Sequence, residues 1–289
     1  MIKFDEIITK EVFEAAVPAA KAPDRNDSIF NRISSGFREA AAHLEQFAES
    51  EEIIERVYNS FAGKDASQNP VVKWICLEAF ITRARSLDLT LTGTGFGIVS
   101  SSSVAPASAA RVNSMIAELQ LQQLLVRYEI IKRLKYDPFW IESPSARREI
   151  CTLFWNPEYV KHYTTLPLTA ETWMSIQQKA VEADALLRNV ISSEYMDELM
   201  FAERRELSIA TSSPYDKIIV EMCLKVIGTF ISNYEMTKEL HREMCDAIRQ
   251  KMERNIAYYP VYRHSSLYEA KHSERYQNKK NDSTFFFFT

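Results

Sequence analysis

The sequence predicts a mainly α-helical protein: a multi-helix bundle with one small β-hairpin and an extended C-terminal tail. Three observations lead there. Glycine is scarce, only 6 in 289 residues, too few for the turns of an all-β fold. Apolar residues recur every three or four positions along most of the chain, which is the spacing of one helix face. One stretch alternates instead. Leu87, Leu89 and Leu91 interleave with Asp88, Thr90 and Thr92, the period of a half-buried strand.

Residues 4–16 read as a short helix that Pro18 and Pro23 bring to an end. Asp27 or Ser28 can cap the next segment, which runs to about residue 62. Ile29, Phe30, Ile33, Phe37, Ala41, Leu44 and Phe47 mark its buried face, and Ser34-Ser35-Gly36 offers a bend. Ile53, Ile54, Val57, Tyr58 and Phe61 continue the pattern or form a separate helix before Gly63. Asn69 and Pro70 open a helix over about 70–86. Its Val71, Trp74, Ile75, Leu77, Ala79, Phe80 and Ile81 leave hardly a polar face, so it belongs in the interior.

The hairpin is expected over about 87–100. Gly93, Gly95 and Gly97 supply the turn, and Phe96-Gly97-Ile98-Val99 restarts an extended run. A long helix follows over about 108–136, capped by Ser108. Its two apolar stripes predict cover from more than one side and a central place in the fold. Asp137-Pro138 ends it. Residues 139–173 combine Phe139, Trp140, Phe154, Trp155, Tyr159, Tyr163 and Trp173 with the breaking prolines Pro138, Pro144, Pro157 and Pro167. They read as a packed connector of short helices. Further helices are expected over about 170–191, with Thr169 as cap, then 193–207, 214–231 and 235–257. The organisation is thus a helical bundle with its hairpin over 1–137, a second helical subdomain over 138–258 packed on the first, and an extended docking tail over 259–289.

Composition narrows the function classes. Hydrophobic residues make up 46% and charged residues 26%, as in soluble globular proteins. The net charge of −4 gives no overall attraction to nucleic acid or to an anionic membrane. No apolar run approaches the ~20 residues of a membrane helix, and the charged start Met1-Ile2-Lys3-Phe4-Asp5-Glu6 is unlike a secretory signal. Cys76, Cys151, Cys223 and Cys245 form no CxxC pair and read as buried free thiols of a reducing compartment. His241 and Cys245, four residues apart, are two potential ligands without a second pair, so no metal is expected.

No catalytic set emerges either. Gly93-Thr94-Gly95-Phe96-Gly97 is neither a GxxxxGK[ST] loop nor a GxGxxG turn in a βαβ unit. The Ser100–Ser103 run has no paired His–Asp motif. His43, His162, His241, His264 and His272 are scattered. The expectation is a non-enzymatic protein without cofactor.

The tail carries physical tension. Residues 260–289 hold five basic against three acidic side chains, net +2, which leaves −6 on residues 1–259. The chain ends in Phe285-Phe286-Phe287-Phe288-Thr289, and each ring contributes about 2 kcal/mol when buried. Such a segment suits docking on a partner, packing on its own body, or no fixed structure. The hairpin either caps the bundle or offers an edge to a neighbour. The candidate assembly contacts are Thr92, Gly93, Gly95, Phe96, Gly97, Tyr268, Phe285, Phe286, Phe287 and Phe288.

At the junction of hairpin and long helix, Leu91-Thr92-Gly93-Thr94-Gly95-Phe96-Gly97-Ile98-Val99, then Ala105-Pro106-Ala107-Ser108 and Arg111-Val112, the chain resembles a family of virion proteins from phages and prophages of Bacteroidetes-type gut bacteria. Those proteins resemble head–tail connectors, or adaptors. The resemblance runs from the helix near residue 70 through the long helix, and more loosely to the aromatic tail. It implies a non-enzymatic neck subunit in a closed ring, commonly of about twelve copies. Its partners would be copies of itself, the portal protein and other neck or tail proteins. DNA would pass only non-specifically, and no membrane would be involved. The protein would be made in the host bacterial cytoplasm and end in the virion. Two other readings stand beside this one. A cytoplasmic all-α scaffold or regulator would be a stable monomer or dimer with a dispensable tail. An enzyme using the glycine loop would be stabilised by nucleotides.

Overall fold

In the first half, α1 (Phe4–Ile7) and α2 (Lys10–Ala16) replace the single helix expected over 4–16. The break has a local cause: the Thr9 side chain accepts the amide hydrogen of Val12, so Thr9 caps a new helix and does not continue the old one. The bend at Ser34–Gly36 is a 3-10 turn joining α3 (Ile29–Ile33) to α4 (Phe37–Ala48). Next comes α5 (Glu51–Ser60), capped by Ser50, whose hydroxyl accepts from the Ile53 amide. Between α4 and α5, Glu49 adopts a left-handed backbone, φ 73°. Its carboxylate accepts the amide of Ser145, nearly a hundred residues away, and the Ser145 contact holds that carboxyl below its usual range.

Asn69 opens α6 (Pro70–Leu87) as its spacing predicts, accepting from the Val71 amide while donating to the Tyr58 carbonyl. The strands β1 (Thr90–Thr92) and β2 (Gly95–Gly97) lie in the connection from α6 to α7 (Ala109–Leu134). Their backbones run antiparallel, with Thr90 opposite Gly97, Leu91 opposite Phe96 and Thr92 opposite Gly95. The computed structural model describes residues 2–20, 29–63, 65–87, 90–92, 95–97, 109–205, 213–232 and 237–273. The rest of the hairpin expected over 87–100 lies outside them.

The centre of this half is α6, not α7. Val71, Val72, Ile75, Cys76 and Leu77 are fully enclosed, and α2, α3, α4, α5 and α7 all pack on α6. Phe13, for example, meets Phe37 at 5.7 Å and Phe80 at 6.4 Å between ring centroids. α7 is covered from two sides only towards its C-terminal end, where Val126, Tyr128, Ile130, Ile131 and Leu134 are buried; Leu121 and Leu125 of its second stripe stay half-exposed.

The connector region supplies α8 (Pro144–Glu149) and α9 (Glu158–Tyr163), then α10 (Ala170–Val190), where Thr169 and Thr172 cap each other reciprocally. Its aromatic residues seal a seam. Trp140 Nε1 donates to the Phe47 carbonyl at 2.9 Å, and Trp173 Nε1 to the Tyr128 hydroxyl at 3.1 Å. Phe139 alone among the seven is exposed. Next come α11 (Ser193–Arg205), α12 (Pro214–Ser232) and α13 (Thr237–Arg254). α12 is enclosed by α9, α10 and α13, and Ile219, Cys223, Ile227 and Ile231 are fully buried. Buried residues from Phe4 to Tyr262 form one continuous cluster across both halves.

The extended character expected from residue 259 is not found over the next dozen residues. They form α14 (Pro260–Arg263) and α15 (Ser266–His272). Two local devices explain it: Pro260 stands at the first turn of α14, and the Ser265 hydroxyl accepts the Tyr268 amide to cap α15. Tyr262 is fully buried and anchors the pair to α11.

Candidate functional site

Among the expected assembly contacts, Thr92 lies on β1, and Gly95, Phe96 and Gly97 on β2. Gly93 and Phe285 to Phe288 fall outside the described residues. Tyr268, on α15, is half-buried. Its ring packs edge-on against Tyr262 at 5.4 Å and stacks on His272 at 3.9 Å. Intramolecular contacts therefore already cover much of Tyr268.

His241 and Cys245 share one face of α13, with Nδ1 and Sγ 3.7 Å apart. Burial pushes the Cys245 thiol up to about 12, and the Cys76 thiol likewise to about 12. Neither is a thiolate at neutral pH. Cys223 is buried too, whereas Cys151 is only partly so. Among the described residues, no group of three or more His, Cys, Asp or Glu side chains is placed to hold a metal ion. None of the described helices is long and apolar enough to cross a membrane.

One constellation was not anticipated from the sequence. A cleft of about 450 Å³ opens where α4, α6 and α7 meet, closed at one side by Arg148 of α8 and Ala170 at the start of α10. Each of the three helices contributes two side chains one turn apart: His43 and Phe47, Trp74 and Glu78, Gln123 and Arg127. The six side chains form two layers, an outer one on the Glu78 carboxylate and an inner one on the buried Phe47 ring. In the outer layer, His43 Nδ1 lies 2.7 Å from one Glu78 carboxylate oxygen, and the Gln123 amide donates to the other. In the inner layer, the Arg127 guanidinium lies over the Phe47 ring, 4.8 Å from its centroid, and Trp74 packs edge-on against that ring at 5.8 Å.

Arg127 is held from behind. Its Nη2 donates to the Glu149 carboxylate at 2.5 Å. Two inner-layer donors are left over: Trp74 Nε1 and Arg127 Nε are buried and have no hydrogen-bond partner. Trp74 itself is only 6% exposed. The sequence did contain half of a signal. Glu78 is the only acidic residue of α6, one turn after the only tryptophan of that helix. The chain matches no protein-family model, no curated protein and no solved structure.

Proposed function

We propose that the protein is a non-enzymatic structural subunit of the head–tail connector type: a helical body that assembles with copies of itself into a ring in the neck of a tailed phage. The observation that carries this reading is the connection between α6 and α7. Two helices packed along each other need only about 2–8 residues to join them, and long connections inside a folded body usually have a function. Here the connection spans residues 88–108 and holds both paired strands and most of the stretch, Leu91–Val99 and Ala105–Ser108, that resembles the connector-like virion proteins. The hairpin and the Phe285–Phe288 segment join neighbouring subunits or the portal. The net charge of −6 on residues 1–259 suits a conduit wall, because like charge keeps passing DNA from adhering.

Electron microscopy of the full chain, alone and mixed with the portal protein of the same phage, tests the reading. Closed rings or a collar added to the portal are expected. Deleting Phe285–Phe288 should abolish that assembly and leave the thermal unfolding midpoint unchanged. Absence of the protein from purified virions would overturn the proposal. Compact monomers that ignore the portal and tolerate the deletion would instead support a scaffold or regulator.

A further inference from the structure

We propose that the exposed face of α10 is the docking site for the Phe285–Phe288 segment of a neighbouring copy of this chain. The inference rests on the connector reading, which supplies the neighbour. α10 packs on α7, α11, α12 and α13. On the side turned away from them, the exposed residues between Trp173 and Arg188 are Met174, Ser175, Gln178, Val181, Ala185 and Leu186, and none is charged. Met174, Gln178, Val181 and Ala185 follow one another at steps of three or four, so they form one stripe. Met174 is 74% exposed, Val181 48% and Leu186 41%. On α4, α5, α7, α11, α12 and α13, by contrast, charged side chains stand among the exposed ones. Single apolar residues on a surface are ordinary, but several along one helix with no charge among them mark a contact surface.

The chain itself holds a segment that suits this face. Residues 274–289 follow the last of the described residues, and Ser283-Thr284-Phe285-Phe286-Phe287-Phe288-Thr289 carries no ionisable side chain. A charged side chain stripped of water costs free energy unless it is paired, and here neither partner brings one to the contact. Four residues reach at most about 14 Å, and Met174 to Leu186 covers about 18 Å of helix, so the rings fit along the face. The segment also starts from a suitable place. Ser266 of α15 donates its amide and its hydroxyl to Glu194 Oε1, at 3.0 and 2.7 Å, just past the end of α10. From Ser273 to Phe285 the chain reaches at most about 43 Å, enough to cross to an adjacent copy. The same reach covers the chain's own α10. The ring decides between them, because a tail given to one neighbour and a face offered to the other make the head-to-tail contact that closes rings.

The test uses the full chain with the photoreactive residue p-benzoylphenylalanine in place of Phe286. It is assembled on the portal protein together with isotope-labelled wild-type chain and irradiated. Mass spectrometry should find the adduct on the α10 peptide of the labelled chain. Val181→Asp in the labelled chain should cut that adduct by about tenfold or more. The same substitution should move the unfolding midpoint by less than about 2 °C, since Val181 lies on the surface. Rings whose adducts lie elsewhere, or on α10 of the same chain alone, would overturn the inference and leave the connector reading standing. An adduct undiminished by Val181→Asp would overturn it as well. If neither ring nor collar forms, the connector reading falls and this inference falls with it.

Discussion

Gly228→Ala is expected to destabilise the protein by about 3 kcal/mol or more. Gly228 sits in the buried stretch of α12, where α9 crosses it. A Cβ there would lie 2.2 Å from the Tyr163 carbonyl oxygen and 2.6 Å from the Tyr163 Cβ. Backbone is the obstacle, so no rotamer change relieves the clash; the two helices must separate. Separation would also strain the contacts beside it, where Ser232 Oγ donates to the Gly228 carbonyl at 2.9 Å and accepts the Thr165 amide at 3.1 Å. Helix propensity works the other way, favouring alanine by up to about 1 kcal/mol, so a loss of stability isolates the packing effect. Urea unfolding of wild type and variant measures it. A change below about 1 kcal/mol would mean that α9 does not press on α12 as described.

Trp140→Ala should cost about 3–5 kcal/mol. Trp140 has no exposed surface and is the largest side chain so enclosed. It is fixed at both ends: its amide donates to Asp137 Oδ1 at 3.1 Å, and its indole N–H to the Phe47 carbonyl at 2.9 Å, close to the end of α4. Asp137 is itself tied to Arg56 at 2.6 Å. Removing the indole empties the point where α4, the end of α7 and the connector converge. Trp140→Phe separates the parts, because it loses the hydrogen bond and a smaller volume. Chemical denaturation of both variants should rank them wild type, Phe, Ala. An alanine variant as stable as the phenylalanine variant would contradict the packing account.

The helices were legible where one cause dominated. α6 lacks a polar face, so its burial could be read directly, and Asn69 and Thr169 cap where their side chains stand just before an apolar run. The chain was harder to read where two causes competed. The apolar pattern of residues 4–16 runs through Thr9, yet its side chain starts a new helix there. Glu49 takes a left-handed backbone that favours glycine or asparagine, and the contact beside it comes from Ser145, which no local pattern could supply. Pro260 and Ser265 are visible start signals for α14 and α15, but the segments are too short to show a periodic stripe. Gly228 was a missed signal: a lone glycine between apolar residues inside a helix points to close backbone approach. The cleft was hidden for another reason. Each of its three pairs is a plain one-turn spacing, and only the packing of α4, α6 and α7 brings them together.

The seam also gives the protein an optical reporter of its own. Three of its four tryptophans, Trp140, Trp155 and Trp173, stand where the connector meets the helices on either side, and each has an indole N–H engaged by Phe47, Glu203 or Tyr128. The fourth, Trp74, is buried in the first half. Intrinsic fluorescence therefore registers mainly the joint between the halves, while far-ultraviolet circular dichroism registers the helices throughout. Recorded on the same sample, the two signals reveal whether the halves part before they melt or whether the chain lets go all at once.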